Sequence, residues 1–388
     1  MINRRQKQNI LRLIKYFPVI SILGPRQSGK TTLAKEIRTR ISGKSIILDM
    51  ENADDYLKME NAGIYLRSFI DYTVIIDEIQ NRPELFQLLR VLVDEKRKAG
   101  RFIILGSANP GIIKGASESL AGRIAFVELN PFDFTEISDK YNLKLHWFYG
   151  GFPGSLLSRN RTFSLKWLND FITTYIERDL PDFGLITSSQ NLRRFWTMMA
   201  NSQGGIFNAS SFAKSLGISQ PTVTRYLDFL EGSFMVRKLY PYFANIKKRL
   251  VKSPKVYIRD SGILHRLLRI NDYNELIGNL IAGTSWEGYV IEQVSNLKNN
   301  NIEIYFYRTK DGTECDVIFV KSLKPVACAE IKFTSTPHIS RSLNITMDDL
   351  NINKGFIITP FTDEYPLSKK VTVCNFGDFI SKYLPNIK

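Results

Sequence analysis

Five short apolar runs punctuate the first third of the chain, at residues 18–23, 45–49, 72–78, 101–107 and 124–129. Each is almost unbroken in apolar character over about four to eight residues, the mark of strands buried on both faces of a sheet. Between the third and fourth runs, residues 84–98 place Leu85, Leu88, Leu89, Leu92 and Val93 at helical spacing. Residues 1–17 predict a lead-in helix with Ile10, Leu11, Leu13 and Ile14 as its apolar stripe. Strands and helices alternating in this way predict an α/β fold on a parallel sheet.

The pattern changes after residue 130. Residues 130–190 are aromatic-rich, with a helix starting near Ser164 and ended by Pro181. Glu177, Arg178 and Asp179 on it suit an ion-pair network between helices. Next, 210–216 reads as a short helix, Gly217 and Ile218 as a turn, and Ser219 as the cap of a helix carrying Pro221 and running to about Leu230. That is helix-turn-helix spacing, and runs at 235–240 and 255–258 suit the strands of a wing. The final stretch reads as a helix over 285–297, with Trp286, Val290, Val294 and Leu297 inward, then strands at 302–307, 314–319 and 325–332. The expected division is 1–135, 136–190, 191–260 and 261–388. A chain of 388 residues is long enough for several cores.

Composition narrows the class. With 44% hydrophobic residues and no apolar run near the roughly 18 needed to span a bilayer, no membrane segment is expected. The N-terminus lacks the apolar core of a signal peptide, so cytoplasm is the default. Cys315, Cys328 and Cys374 share no metal-type spacing and read as buried thiols, and the three histidines are scattered. The net charge of +15 favours polyanionic partners.

The most specific chemistry lies in Gly24-Pro25-Arg26-Gln27-Ser28-Gly29-Lys30-Thr31-Thr32, which fits G-x-x-x-x-G-K-[ST] between a strand and a helix. Its glycines let several N–H groups turn inward onto phosphate oxygens, and the helix N-terminus adds partial positive charge. Lys30 is expected to reach the β- and γ-phosphates of ATP, and Thr31 to ligate Mg2+. The run at 72–78 ends in Asp77 and Glu78, the first suited to the Mg2+ shell and the second to deprotonating the attacking water. Ser107 and Asn109, beyond the fourth strand, are candidates to sense the γ-phosphate or to cap the loop.

These motifs recur together with Leu120-Ala121-Gly122-Arg123, Leu129-Asn130-Pro131-Phe132 and Gly150-Gly151-Phe152-Pro153. The set resembles the prokaryotic predicted ATPases of the AAA+ superfamily that carry a C-terminal domain of unknown function. Ser28 stands where those proteins often have an aliphatic residue. The resemblance implies that Arg123 can complete a neighbouring subunit's site as an arginine finger, which requires self-association; a salt-bridged surface arginine is the alternative.

Lys247, Lys248, Arg249 and Lys252, near Tyr240, Tyr242 and Phe243, suit a nucleic-acid backbone, although the second helix of the helix-turn-helix offers Arg225 alone as a cation. Further on, Glu287, Asp316 and Glu330-x-Lys332 resemble the nuclease core written PD-(D/E)xK. Glu330 and Lys332 share one face of a strand, Asp316 can meet Glu330 across a divalent cation, and Glu287 or Glu292 can complete the ligands. Such folds also persist as binding modules. The leading expectation is a Mg-dependent ATPase coupled to a half that engages duplex DNA. The alternatives are an ATP-regulated endonuclease and a slow ATP switch that binds protein partners.

Overall fold

A computed structural model of the chain describes residues 2–107, 119–182, 184–185, 187–243 and 250–387. Two compact units emerge, the first comprising Met1–Tyr141, Phe152–Leu157 and Asp228–Met235, the second Asn142–Gly151, Ser158–Leu227 and Val236–Lys388.

Among the described residues of the first unit, five parallel strands form a sheet in the order β2-β3-β4-β1-β5: β1 Val19–Gly24, β2 Ser45–Asp49, β3 Thr73–Asp77, β4 Phe102–Ser107 and β5 Ile124–Glu128. Strands β1, β3 and β4 are buried along their whole length, as continuous apolarity requires. Edge strand β5 instead alternates, leaving Phe126 exposed. One face of the sheet packs on the helix Leu85–Glu95 through Leu85, Phe86, Leu89, Leu92 and Val93. A second cluster joins Ile20, Ile22 and Val127 to Leu33, Ala34 and Ile37 of the helix Lys30–Arg38 and to Ile10 of the helix Gln6–Leu13. Because all five strands run one way, Gly24, Asp77 and Ser107 end at the same edge.

The second unit holds a mixed sheet ordered β12-β13-β11-β10-β9-β8. Its described strands are β8 Ile302–Arg308, β9 Glu314–Lys321, β10 Lys324–Ile331, β11 Gly355–Thr359, β12 Tyr365–Pro366 and β13 Val371–Asn375. Strands β6 Val236–Leu239 and β7 Lys255–Ile258 pair antiparallel as a separate ribbon. Past β6, Tyr242 donates its N–H to the Phe306 carbonyl (2.7 Å) and Phe306 donates to Tyr240 (3.1 Å), which covers the edge of β8. The helices Ala209–Leu216 and Gln220–Gly232 flank a turn in which Gly217 adopts φ 66°. Cys315, Cys328 and Cys374 are buried free thiols.

One boundary differs from the expected one. Pro181 does not stop its helix: Arg161–Thr174 continues through a wide turn at Tyr175–Asp179 into Leu180–Asp182. The wider turn replaces the i→i+4 ladder that a proline ring obstructs. Arg178 pairs with Asp182 of the same helix (3.8 Å), so that ion pair lies within one helix and not between two.

Candidate active site

β1 ends where it approaches the chain after β5 so closely that a Cβ on Gly24 would lie 2.1 Å from the Leu129 carbonyl oxygen. The loop that follows turns through Gln27 (φ 61°) and Gly29 (φ 96°), the latter serving as left-handed N-cap of the helix Lys30–Arg38. Its open N–H groups and positive end therefore face the loop. The buried Lys30 donates Nζ to the carbonyls of Gly24 (3.0 Å) and Pro25 (2.9 Å). Arg26 pairs with Glu51 (3.1 Å), Ser28 is buried, and Thr32 is exposed on the first turn of the helix.

A brace that the motif does not announce holds this loop. Arg4 donates to the Ser28 carbonyl (2.8 Å) and to the Asn130 carbonyl, pairs with Glu136 (3.2 Å), and lies 4.6 Å over the Phe132 ring. Burial raises the Glu136 carboxyl, Arg4 opposes that, and neighbouring Asp133 adds to it.

At the end of β3, Asp77 Oδ2 accepts a 2.6 Å hydrogen bond from the Thr31 hydroxyl. Burial lifts its carboxyl above the ordinary range, against the Thr31 bond and with help from Glu78. Glu78 itself has φ 50° and donates its N–H to Asp77 Oδ1 (3.0 Å). Its Oε2 accepts from Gln80 Nε2 and from the buried Ser107 Oγ at 3.4 Å. Ser107 stands beside Gly24 in the β1–β4 register. The fold thus assembles Lys30, Thr31, Asp77, Glu78 and Ser107 at one sheet edge, while Asn109 falls outside the described residues.

Arg123 sits elsewhere. Val19 N–H donates to its carbonyl (3.1 Å) at the opposite end of β1, roughly 16 Å from Gly24 at strand rise. Its guanidinium grips Asp94 with two bonds (2.7 and 2.9 Å) and the Ala121 carbonyl (3.0 Å). Arg123 holds the Asp94 carboxyl below its usual range.

In the second unit Glu287 and Asp316 meet, but on a lysine that motif spacing does not reveal. The buried Lys255 Nζ lies 2.6 Å from Glu314, 3.0 Å from Glu287 and 3.7 Å from Asp316, and Tyr257 donates to Glu287 (2.5 Å). Burial and then Asp316 push the Glu287 carboxyl up to about 7, against Lys255 and Tyr257. Asp316 Oδ2 accepts from the Ile331 N–H (2.8 Å). Glu330 accepts from Ser340 and faces Lys332 at 3.6 Å. Among the described residues no three acidic, histidine or cysteine side chains are grouped to hold a metal ion. The Lys255 ammonium thus stands among Glu287, Glu314 and Asp316, three carboxylates of which the motif reading named Glu287 and Asp316. Glu292, the other ligand candidate, is committed to Arg237 (2.6 Å) and Arg259 (2.9 Å).

Of the basic and aromatic residues after β6, Tyr240, Phe243 and Lys252 are exposed, and Lys247, Lys248 and Arg249 fall outside the described residues. Arg225 donates to the Gly184 carbonyl (3.0 Å).

Family models match three successive stretches: an AAA domain over residues 16–138, a domain of unknown function (DUF8612) over 140–274, and a domain of unknown function (DUF4143) over 282–379. Uncharacterized proteins of Mycobacterium tuberculosis and Mycobacterium bovis are each 41% identical to this chain over 375 residues, 96% of its length and 83% of theirs. The Walker-type ATPase of Pyrococcus abyssi is similar over 69% of this chain and 96% of its own, at 16% identity and a TM-score of 0.48.

Proposed function

The chain belongs to the family of these two mycobacterial proteins, with an AAA domain ahead of a C-terminal domain of unknown function, and on that premise we propose that it is a Mg-dependent ATPase whose turnover drives a half that engages duplex DNA. The observation that carries the first part is the 2.6 Å bond between Thr31 and Asp77, beside a buried loop lysine. It joins the two residues that such sites use around Mg2+, and it does so between a helix and a strand that are distant in sequence.

The residues fit both ATP and Mg2+. Lys30 donates to two loop carbonyls, which are weaker acceptors than phosphate oxygens, so the β- and γ-phosphates can draw it across. Thr31 and Asp77 would hold Mg2+, which would supply charge neutralisation for those phosphates. Gly24 to Thr32 cradle the phosphate chain through backbone N–H groups, and Arg4 stiffens the cradle. Glu78 accepts the proton of the attacking water, and Ser107 stands beside it. Arg123, at the opposite end of β1 from its own loop, acts on a second copy once its Asp94 pair opens.

The reading rests on hydrolysis being real. ATP turnover of the wild type should fall about 100-fold or more in Glu78→Gln, with nucleotide binding retained. Equal turnover in both would leave a slow switch that binds protein partners.

We further propose a division into an ATPase core (1–135), a helical connector (136–190), a winged helix (191–260) and a nuclease-like unit (261–388). The DNA reading draws on the net charge, the helix-turn-helix elements and the exposed Tyr240, Phe243 and Lys252. Cleavage is the weaker reading, because the Lys255 ammonium already occupies the space among Glu287, Glu314 and Asp316. Plasmid incubated with Mg2+ or Mn2+ should stay intact; cleavage lost in both Asp316→Ala and Lys332→Ala would reverse that judgement.

A further inference from the structure

Building on the reading of Glu78 as the base, we propose that Gln80 is a positioning residue of the ATPase site: it anchors Oε2 of the Glu78 carboxylate and leaves Oε1 to receive the proton. Two donors converge on that one oxygen, Gln80 Nε2 and Ser107 Oγ. The carboxylate needs such an anchor. Glu78 has a left-handed backbone (φ 50°), uncommon for a residue with a long side chain, and several torsions separate its carboxylate from the strand. With one oxygen held, rotation about the last bond is lost and the second oxygen keeps a fixed direction.

The seat of Gln80 is itself firm. It lies in the tight turn Ile79–Asn81, whose Ile79 is fully buried in the core beneath the sheet. On the other side Asn81 donates to the Met50 carbonyl (3.4 Å). Arg82 donates to the Tyr56 carbonyl (3.1 Å) and lies 4.0 Å over the Tyr56 ring. Gln80 Oε1 is buried and has no hydrogen-bond partner among the described residues. A residue that merely filled space would not carry that cost, since Leu or Met fills a similar volume without a polar atom to satisfy. The amide is there for its donor.

The test is steady-state ATP turnover of the full chain as wild type, Glu78→Gln, Gln80→Leu and the double variant. Gln80→Leu should lower kcat about 10- to 100-fold, with KM for ATP unchanged. The double variant should be no slower than Glu78→Gln alone, because Gln80 acts only through that carboxylate. A purely structural role would add a further loss in the double variant or raise KM, and either result overturns the assignment, as does an unchanged kcat. Gln80→Glu keeps the side chain's size and replaces the donor with a like charge. If Gln80→Leu does not fold, Gln80→Glu must show the same loss of kcat with ATP still bound. Full activity in Glu78→Gln would instead refute the reading of Glu78 as the base, a result distinct from a failure confined to Gln80.

Discussion

Glu292 and Glu287 lie on the same helix, Ala282–Leu297, yet their surroundings drive them in opposite directions. Burial alone would raise the Glu292 carboxyl, but Arg237 and Arg259 outweigh it and hold it at about 2. A depressed carboxyl stabilises the fold above its ordinary pKa, and that contribution disappears as pH falls from about 4.5 towards 2. Glu292→Gln should therefore flatten the acid limb of stability, as followed by melting temperature against pH. It should also lower stability near neutrality by removing the carboxylate that the half-buried Arg237 and Arg259 share. Glu287, pushed up to about 7, has the reverse sign: its contribution is complete below about 4.5 and is lost as pH rises through 7. Glu287→Gln should remove a decline of about 2–3 kcal/mol between pH 5 and 8. Neither residue advertises its state in the sequence, because the partners that set it lie on other elements.

At the scale of elements, the phosphate loop is one turn of chain held by two others. Gly24→Ala would drive a Cβ into the Leu129 carbonyl, where backbone and not a flexible side chain must give way. We expect loss of nucleotide binding together with a lower melting temperature. Arg4→Ala removes the loop's brace and leaves Glu136 without this ion pair, so it should destabilise the first unit by about 3–5 kcal/mol and weaken ATP affinity, measured by calorimetry. The loop and the strand ending in Asp77 are legible in the sequence, because each is contiguous and has a spacing that chemistry dictates. Arg4 is not legible: it is an ordinary N-terminal arginine until the fold brings it to Ser28 and Asn130. Pro181 misleads for a related reason, since its usual helix-breaking effect is absorbed by a local change of helical pitch.

At the scale of the whole molecule, two predictions separate the proposed partners. If Arg123 acts on a second copy, Arg123→Ala should bind ATP yet turn it over slowly. Mixing it with Lys30→Ala should then restore part of the activity, since each copy supplies what the other lacks. No recovery would confine Arg123 to its pair with Asp94. If several phosphates of duplex DNA are contacted, affinity should fall by about 10³- to 10⁵-fold between 50 and 200 mM salt, as read by fluorescence anisotropy. Salt-insensitive binding, or none, would move the output to a protein partner.

The sequence by itself determined the parallel sheet, the phosphate loop and the acidic pair at Asp77 and Glu78. Unbroken apolar runs and a glycine-spaced loop are local patterns, each with few physical alternatives. Only the tertiary structure decided what faces what. It directed Gln80 and Ser107 onto one oxygen of Glu78, turned Arg123 to the far end of β1, and set Lys255 among Glu287, Glu314 and Asp316. These are pairings between residues far apart or differently oriented along the chain. Spacing in sequence carries no record of them, because the distances that govern electrostatics exist only after the strands have found their register.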